Sequence, residues 1–351
     1  MEKQDYFKRV HLTTQTRFWI NNVTKEEAGL AIRAGAVGCT QNPSYVWRIL
    51  NGSEDQELAE KLTTSYIGQE DDDNEVLIWL QRELVKEIAK QFYPMFKNSK
   101  EKYGYVSIQG NPFREDTESI VKFARYNCLA GENIMAKIPV TEDGLKAVSI
   151  LAADGIPINA TECMAVRQVI DVCEVYRDAI KDLENPAPLY FSLITGIFDE
   201  YLYKTVEKEN IDISPDTLWQ AGISIAKKVH AIVAERNYPC GFIGGGARGL
   251  HHFTEMVGAN ANITINWKGT AEELIKNDPP VISRFLQPTP SSVIDELLEK
   301  LEDYRKAYFI NGIEADEYEE YGPVVLFRNI FENGWENARE RIKSIRNGKS
   351  E

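Results

Sequence analysis

"ENIMAKIPVTEDG", residues 132–144, is an apolar, strand-like run with one lysine near its middle. Side chains alternate along a strand, so Met135 and Lys137 share one face while Ala136 and Ile138 share the other. The small and apolar pair suits packing against an outer layer of helices, which aims Lys137 at the inside of a strand layer. A lysine costs free energy to bury unless it is paired or deprotonated. Spacing alone leaves two accounts standing. The amine is a desolvated nucleophile for carbonyl groups, or it snorkels to a rim or pairs with a carboxylate such as those in KIPVTED.

Outward from this stretch, short apolar runs alternate with longer amphipathic ones. Strands are expected at RFWIN (17–21), AVGCT (36–40), YGYVSIQ (103–109), NIMAKIPV (133–140), IPINAT (156–161), LYFSLIT (189–195), CGFIGG (240–245) and NITIN (262–266). Eight strands separated by helices predict an α/β chain of βα units, a (β/α)8 TIM barrel of one domain over 1–351. A doubly wound open sheet alternates in the same way and is the competing fold. Capping boxes TKEE (24–27) and TAEE (270–273) mark two helix starts. Residues beyond the usual barrel fall in 50–102, in 201–238 and in a helical C-terminal extension, 278–351, expected to pack on the barrel. The acidic run EDDDNE (70–75) reads as a solvated helix N-terminus.

Fifty-four acidic residues against 40 basic ones give a net charge of −14 and a pI near 5.0. That balance opposes binding to nucleic acid or an anionic membrane and favours small-molecule chemistry. Five scattered cysteines without a CxxC pair suggest neither a zinc site nor a disulfide framework, which fits a reducing cytoplasm. The N-terminus lacks the apolar core of a signal peptide, and no apolar run is long enough to span a bilayer. Barrel chemistry sits at the C-terminal strand ends. There the sequence places CTQNPS, SIQGNP, AKIPVT, NATE and GGGARG.

GAVGCTQNPSYV resembles the TTNPS stretch that ends the second strand of transaldolases, and MAKIPVTEDGLKAV resembles their Schiff-base strand. GYVSIQGNP, DGIPINATECM and FIGGGARG are similar to the third-strand, fifth-strand and seventh-strand motifs, in the same order. The likeness runs from about Thr16 to Leu274. It implies a transferase moving a dihydroxyacetone-type unit between sugar phosphates, of the kind found in the pentose phosphate pathway. No metal and no organic cofactor is implied. Lys137 would be the nucleophile, with Thr40 and Asn42 orienting the substrate. Gln109 would hold the water of proton transfer; Asn159 and Thr161 would stand beside the lysine. Each has a plainer account: NP is a turn signal, and Gln109, Asn159 and Thr161 are also ordinary hydrogen-bonded core polars. The partner is then a small sugar or sugar phosphate, and self-association of the barrel is left open.

Three departures qualify the likeness. Asn21 stands where the family has a proton-shuttling aspartate, and an amide is no general base; Glu162 and Asp199 are the carboxylates that could replace it. In FSLITGIFDE, Ser192 and Gly196 match but Ile197 replaces a phosphate-binding arginine. In GGGARG a phosphate-binding serine becomes Gly246, while Arg248 remains to meet an anion with the backbone amides of the turn. These changes admit two further readings: an aldolase that releases its ketone to water, and a sugar-binding barrel with altered catalysis. His251 and His252 could enter the site as acid/base groups or anion ligands, but a histidine pair at a helix start is more often structural or exposed, and sequence neighbours point in different directions.

Overall fold

The computed structural model describes residues 5–348; residues 1–4 and 349–351, included in the single unit expected from sequence, lie outside the described residues. Eight strands, β1 (Arg17–Asn21), β2 (Ala36–Thr40), β3 (Val106–Gln109), β4 (Ile134–Pro139), β5 (Ile158–Cys163), β6 (Leu189–Leu193), β7 (Cys240–Gly244) and β8 (Asn262–Asn266), form a closed barrel in sequence order. β8 closes on β1 in parallel, from Arg17 opposite Asn262 to Asn21 opposite Asn266. Closure removes both sheet edges, so the fold is a (β/α)8 barrel and not an open doubly wound sheet.

The strand boundaries depart from expectation where the backbone turns left-handed. β3 starts at Val106 because Gly104, at φ 89°, ends the approach from the long helix Asp73–Asn98. β5 runs two residues later than IPINAT. Gly155 sits at φ 73° and Pro157 has no N–H for a ladder bond, so regular pairing starts at Ile158. The capping box at Thr24 forms, with Glu27 answering the N-cap amide. The one expected at Thr270 does not, because the chain arrives through Gly269 at φ 74° and helix Glu272–Asn277 has no side-chain cap. EDDDNE does open a helix, with Asp72 accepting from the Asn74 amide.

A continuous apolar layer lies between strands and helices. Inside the barrel, Trp19, Met135 and Ile243 pack together with Tyr190 against them. Each lies two residues before Asn21, Lys137, Gly245 or Ser192 on its strand, so the four form one inward layer directly beneath those residues. Trp19 and Tyr190 bring their ring centroids to 5.8 Å. The five cysteines are free. No helix among the described residues is long and apolar enough to cross a membrane.

The chain after β8 forms helices Ser291–Lys300, Glu302–Tyr308 and Gly322–Arg346, the last preceded by the 3₁₀ turn Ala315–Glu320. Pro323 sits in its first turn, where its missing N–H costs nothing. This last helix lies across the helix Tyr45–Leu50 that follows β2, and the Ser44 hydroxyl donates to the Ile330 carbonyl at 3.0 Å. Gly334 makes the approach close: a β-carbon there would stand 2.4 Å from Ser44 Oγ and 2.7 Å from Ser44 Cα. Alanine in place of glycine ordinarily steadies a helix by about 1 kcal/mol. Here the clash reverses the sign, and Gly334→Ala is expected to cost about 1–3 kcal/mol in urea unfolding.

Candidate active site

At the C-terminal ends of the strands a cavity of about 490 Å³ opens, bordered by Asn21, Thr40, Asn42, Lys137, Thr161, Ser192, Gly246 and Arg248. These candidates from sequence come together. Gln109 and Asn159 do not border it. Asn159 lies below, donating to Ser192 Oγ at 2.7 Å and so positioning that hydroxyl. Gln109 borders a side cavity of about 20 Å³, and Lys137 lies at the boundary of both spaces.

Lys137 is 8% exposed. Below it is the Trp19–Met135–Ile243 layer; above it, Phe331 of the last helix holds its ring centroid 5.5 Å from Nζ, and Phe327 and Ile330 wall the cavity. Among the described residues no carboxylate forms an ion pair with this amine. Burial therefore pulls its pKa down to about 8, opposed by Glu162 at longer range. At pH 7 roughly one such amine in ten is neutral, against fewer than one in a thousand for an ordinary lysine. The alternative of a lysine snorkelling to the rim does not describe this side chain.

Asn21 belongs to a hydrogen-bonded chain. Thr40 Oγ1 donates to Asn21 Oδ1 at 2.9 Å, and Asn21 Nδ2 donates to Asn266 Oδ1 at 2.9 Å. Since Thr40 spends its proton on Asn21, Thr264, 2.8 Å from Thr40, supplies the proton of that contact. An aspartate at position 21 would set its oxygen against Asn266 Oδ1. Asn42 Oδ1 accepts from Asn22 Nδ2 and from the Ser44 amide, which fixes the loop after β2.

Of the two carboxylates named from sequence, Asp199 is spent elsewhere and Glu162 is near the amine. Glu162 has φ 66°, inside β5, where pairing with β6 slips between Ala160 and Cys163. Left-handed backbone costs a non-glycine residue about 1–2 kcal/mol. In a regular strand the side chains of Thr161 and Glu162 would point to opposite faces. The bulge instead brings Glu162 Oε1 within 2.9 Å of Gln109 Nε2, two strands away. The same amide group reaches Glu115 Oε1 at 3.5 Å. Burial raises the pKa of Glu162, opposed by the Gln109 hydrogen bond, Lys137 and Arg328. Burial and the neighbouring Glu162 push Glu115 well up.

At another side of the cavity lie Gly246, Ile194 and Arg248. Gly246 has φ 70°, and a β-carbon there would meet Ile194 Cγ2 at 2.5 Å and Ile197 Cγ1 at 3.0 Å. Ile197 is fully buried and fills space against the glycine. Arg248 borders the cavity, but its guanidinium is ion-paired with Glu200. Arg48 is paired with Glu27, and Lys268 joins Arg48, Arg248 and Lys137 as the fourth basic residue on the wall.

His251, His252 and Asp199 bring their ligand-type atoms within 4.8 Å of one another. The two rings do not diverge; the short helix His251–Thr254 lays them 3.9 Å apart. His252 Nε2 faces Asp199 Oδ2 at 2.9 Å, His252 Nδ1 accepts from the Arg248 amide, and Asp199 Oδ1 accepts from the Gly222 amide. With these atoms engaged, the group ties the loop after β7 to two outer helices and is poorly suited to hold a metal. None of the three borders the cavity.

The model of the transaldolase/fructose-6-phosphate aldolase family matches residues 18–317. The chain belongs to this family. Over 217 residues it is 27% identical to a transaldolase of Trichodesmium erythraeum, covering 54% of this chain and 55% of that one. It is 26% identical to a transaldolase of Acidothermus cellulolyticus over 238 residues, 63% of this chain and 61% of that one. A transaldolase 2 of Nostoc sp. is 38% identical over 95 residues, 26% of this chain and 24% of the relative. The chain thus spans about half the length, or less, of most of these curated relatives. The family match extends past Leu274 into the first helices of the extension.

Sequence reasoning missed Asn266 and Glu115; the aromatic and apolar residues of EYGPVVLFRNIF (320–331) do suggest a tail that docks onto the barrel or a second subunit and closes the pocket, without singling out Phe327, Ile330 or Phe331. Asn266 ends the strand NITIN and obeys the strand-end rule that found the others. Glu115 follows β3 in GNPFRED with no spacing signal of its own.

The amine also sets a dependence of stability on pH. Between its folded pKa near 8 and the ordinary lysine value of 10.5, the unfolded chain holds a proton that the folded chain has released, so stability rises with pH across that window. At pH 7 both states are protonated and the full cost is present. Lys137→Met is expected to be more stable than the native chain at pH 7 by about 3 kcal/mol, and the gain should shrink towards pH 10.5 in urea unfolding.

Proposed function

We propose that this chain is a Schiff-base transferase moving a dihydroxyacetone-type three-carbon unit from a ketose to an aldose. The observation that carries the reading is the unpaired, buried amine of Lys137, with its lowered pKa, at a cavity walled by amides and hydroxyls. The neutral amine adds to the ketone carbon, and loss of water leaves an iminium. That cation draws in the electron pair of the C3–C4 bond as it breaks, while the C4 hydroxyl gives up its proton to become an aldehyde, and an enamine is left on the lysine. The enamine attacks a second aldehyde, whose oxygen takes a proton back as the new hydroxyl, and hydrolysis of the new iminium frees Lys137. Asn21, Asn266, Thr40 and Ser192 offer hydrogen bonds to the hydroxyls of a polyol chain. Thr161 Oγ1, buried and without a partner, stands ready for the carbinolamine. No resident metal or organic cofactor takes part in this scheme, and a cytoplasmic location fits it.

Release of the ketone to water is the second reading. Gln109 favours it, because fructose-6-phosphate aldolases carry glutamine where transaldolases carry glutamate. Production of free dihydroxyacetone without an acceptor aldehyde separates the two.

Borohydride reduction in the presence of dihydroxyacetone is expected to add the mass of one reduced adduct to the Lys137 peptide, and none to Lys137→Met. Labelling of the variant at an equal level would refute the assignment of the nucleophile. For the substrate's far end, the ion pair of Arg248 with Glu200 implies a weak grip on phosphate. Glu200→Gln should lower KM for a phosphorylated ketose about three- to tenfold, the scale of one charge-assisted contact, and leave KM for the unphosphorylated sugar unchanged.

A further inference from the structure

We propose that Glu162 and Glu115, bridged by Gln109, form a carboxyl–carboxylate pair that shares one proton and exchanges it, through the small cavity beside Lys137, with the carbinolamine oxygen. The proposal rests on the Schiff-base reading and supplies the acid that Asn21 does not.

Strand β4 lies between β3 and β5. The hydrogen bond from Gln109 to Glu162 therefore spans β4, and Lys137 is the direct strand partner of Gln109. Gln109 Oε1, Glu115 Oε2 and Glu162 Oε2 are all buried without a partner. Three orphaned oxygens around one amide are costly unless a proton or a water satisfies them. The side cavity, about 20 Å³, is bordered by Gln109, Glu115 and Lys137 and has room for about one water, which needs ~10–15 Å³. Two carboxyls drawn to one amide cannot both ionise cheaply, so one proton stays on the pair. The charged groups that face it are Lys137 from β4, Arg114 on the border of the side cavity, Arg328 and Glu332 from the last helix, and Glu319 from the turn before it.

The proton balance closes over a turnover. The protonated pair gives its proton to the carbinolamine hydroxyl, which leaves as water while the nitrogen lone pair forms the C=N bond. The pair is then one charge more negative. When water later attacks the product iminium, the pair takes the proton that this water loses and returns to its starting state. The strained backbone at Glu162 is what holds the carboxyl in place for both steps.

The test follows the rate of borohydride-trapped adduct at Lys137 from pH 5 to 9, with the full chain and dihydroxyacetone as probe. In the native chain the rate should rise towards pH 8 as Lys137 loses its proton and fall again when the pair loses its own. Glu162→Gln should slow trapping about 100-fold, the usual scale of general acid catalysis. Its falling limb should move to lower pH, because Glu115 no longer faces a like charge. Glu115→Gln should shift the same limb in the same direction, and it carries the comparison alone if circular dichroism shows Glu162→Gln unfolded. A native chain that links to the probe, with folded variants keeping its rate and pH profile, overturns the proposal alone. A native chain that never links overturns the Schiff-base reading and this proposal with it.

Discussion

Keeping one amine out of water without giving it a carboxylate partner is the constraint on which the rest of this molecule depends. Closure of eight strands encloses Lys137 from the sides, the Trp19–Met135–Ile243 layer seals it from below, and Phe331 stands over it. Each barrier withholds solvation from the ammonium form, and together they outweigh the attraction of Glu162. A carboxylate in direct contact would have restored the charge. The distance of Glu162 from the amine is therefore as informative as its proximity to Gln109.

Much of this was legible in the sequence because strand alternation is a local property. NITIN and RFWIN gave their strands residue for residue, and the inward aim of Lys137 followed from the parity of its neighbours. Parity fails wherever the backbone leaves the β region. Glu162 is the clearest case. Glutamate has no special preference for φ above zero, so nothing in NATECM announces a bulge, and only the closed barrel with its bond to Gln109 stabilises it. Phe327, Ile330 and Arg328 were hidden for a different reason. They meet the site through packing between elements far apart in the chain, and EYGPVVLFRNIF suggests a tail docked onto the barrel or a second subunit, closing the pocket, but not which of its side chains face Lys137.

At the end of the cavity near Arg248, positions that look independent in sequence meet in the fold. A β-carbon at position 246 would stand 2.5 Å from Ile194 Cγ2 and 3.0 Å from Ile197 Cγ1, so both isoleucines pack against the glycine. Arg248 keeps its place but faces Glu200, so its charge is already balanced before any ligand arrives. Buried isoleucines and an arginine already in an ion pair leave this end of the cavity apolar and close to neutral.

The wall supplied by helix Gly322–Arg346 carries a consequence for biosynthesis. On a ribosome, the strand bearing Lys137 emerges long before Phe327, Ile330 and Phe331, and until they dock its amine remains hydrated and charged like any surface lysine. The lowered pKa of this amine is therefore a property of the completed fold, acquired only when the final helix locks down.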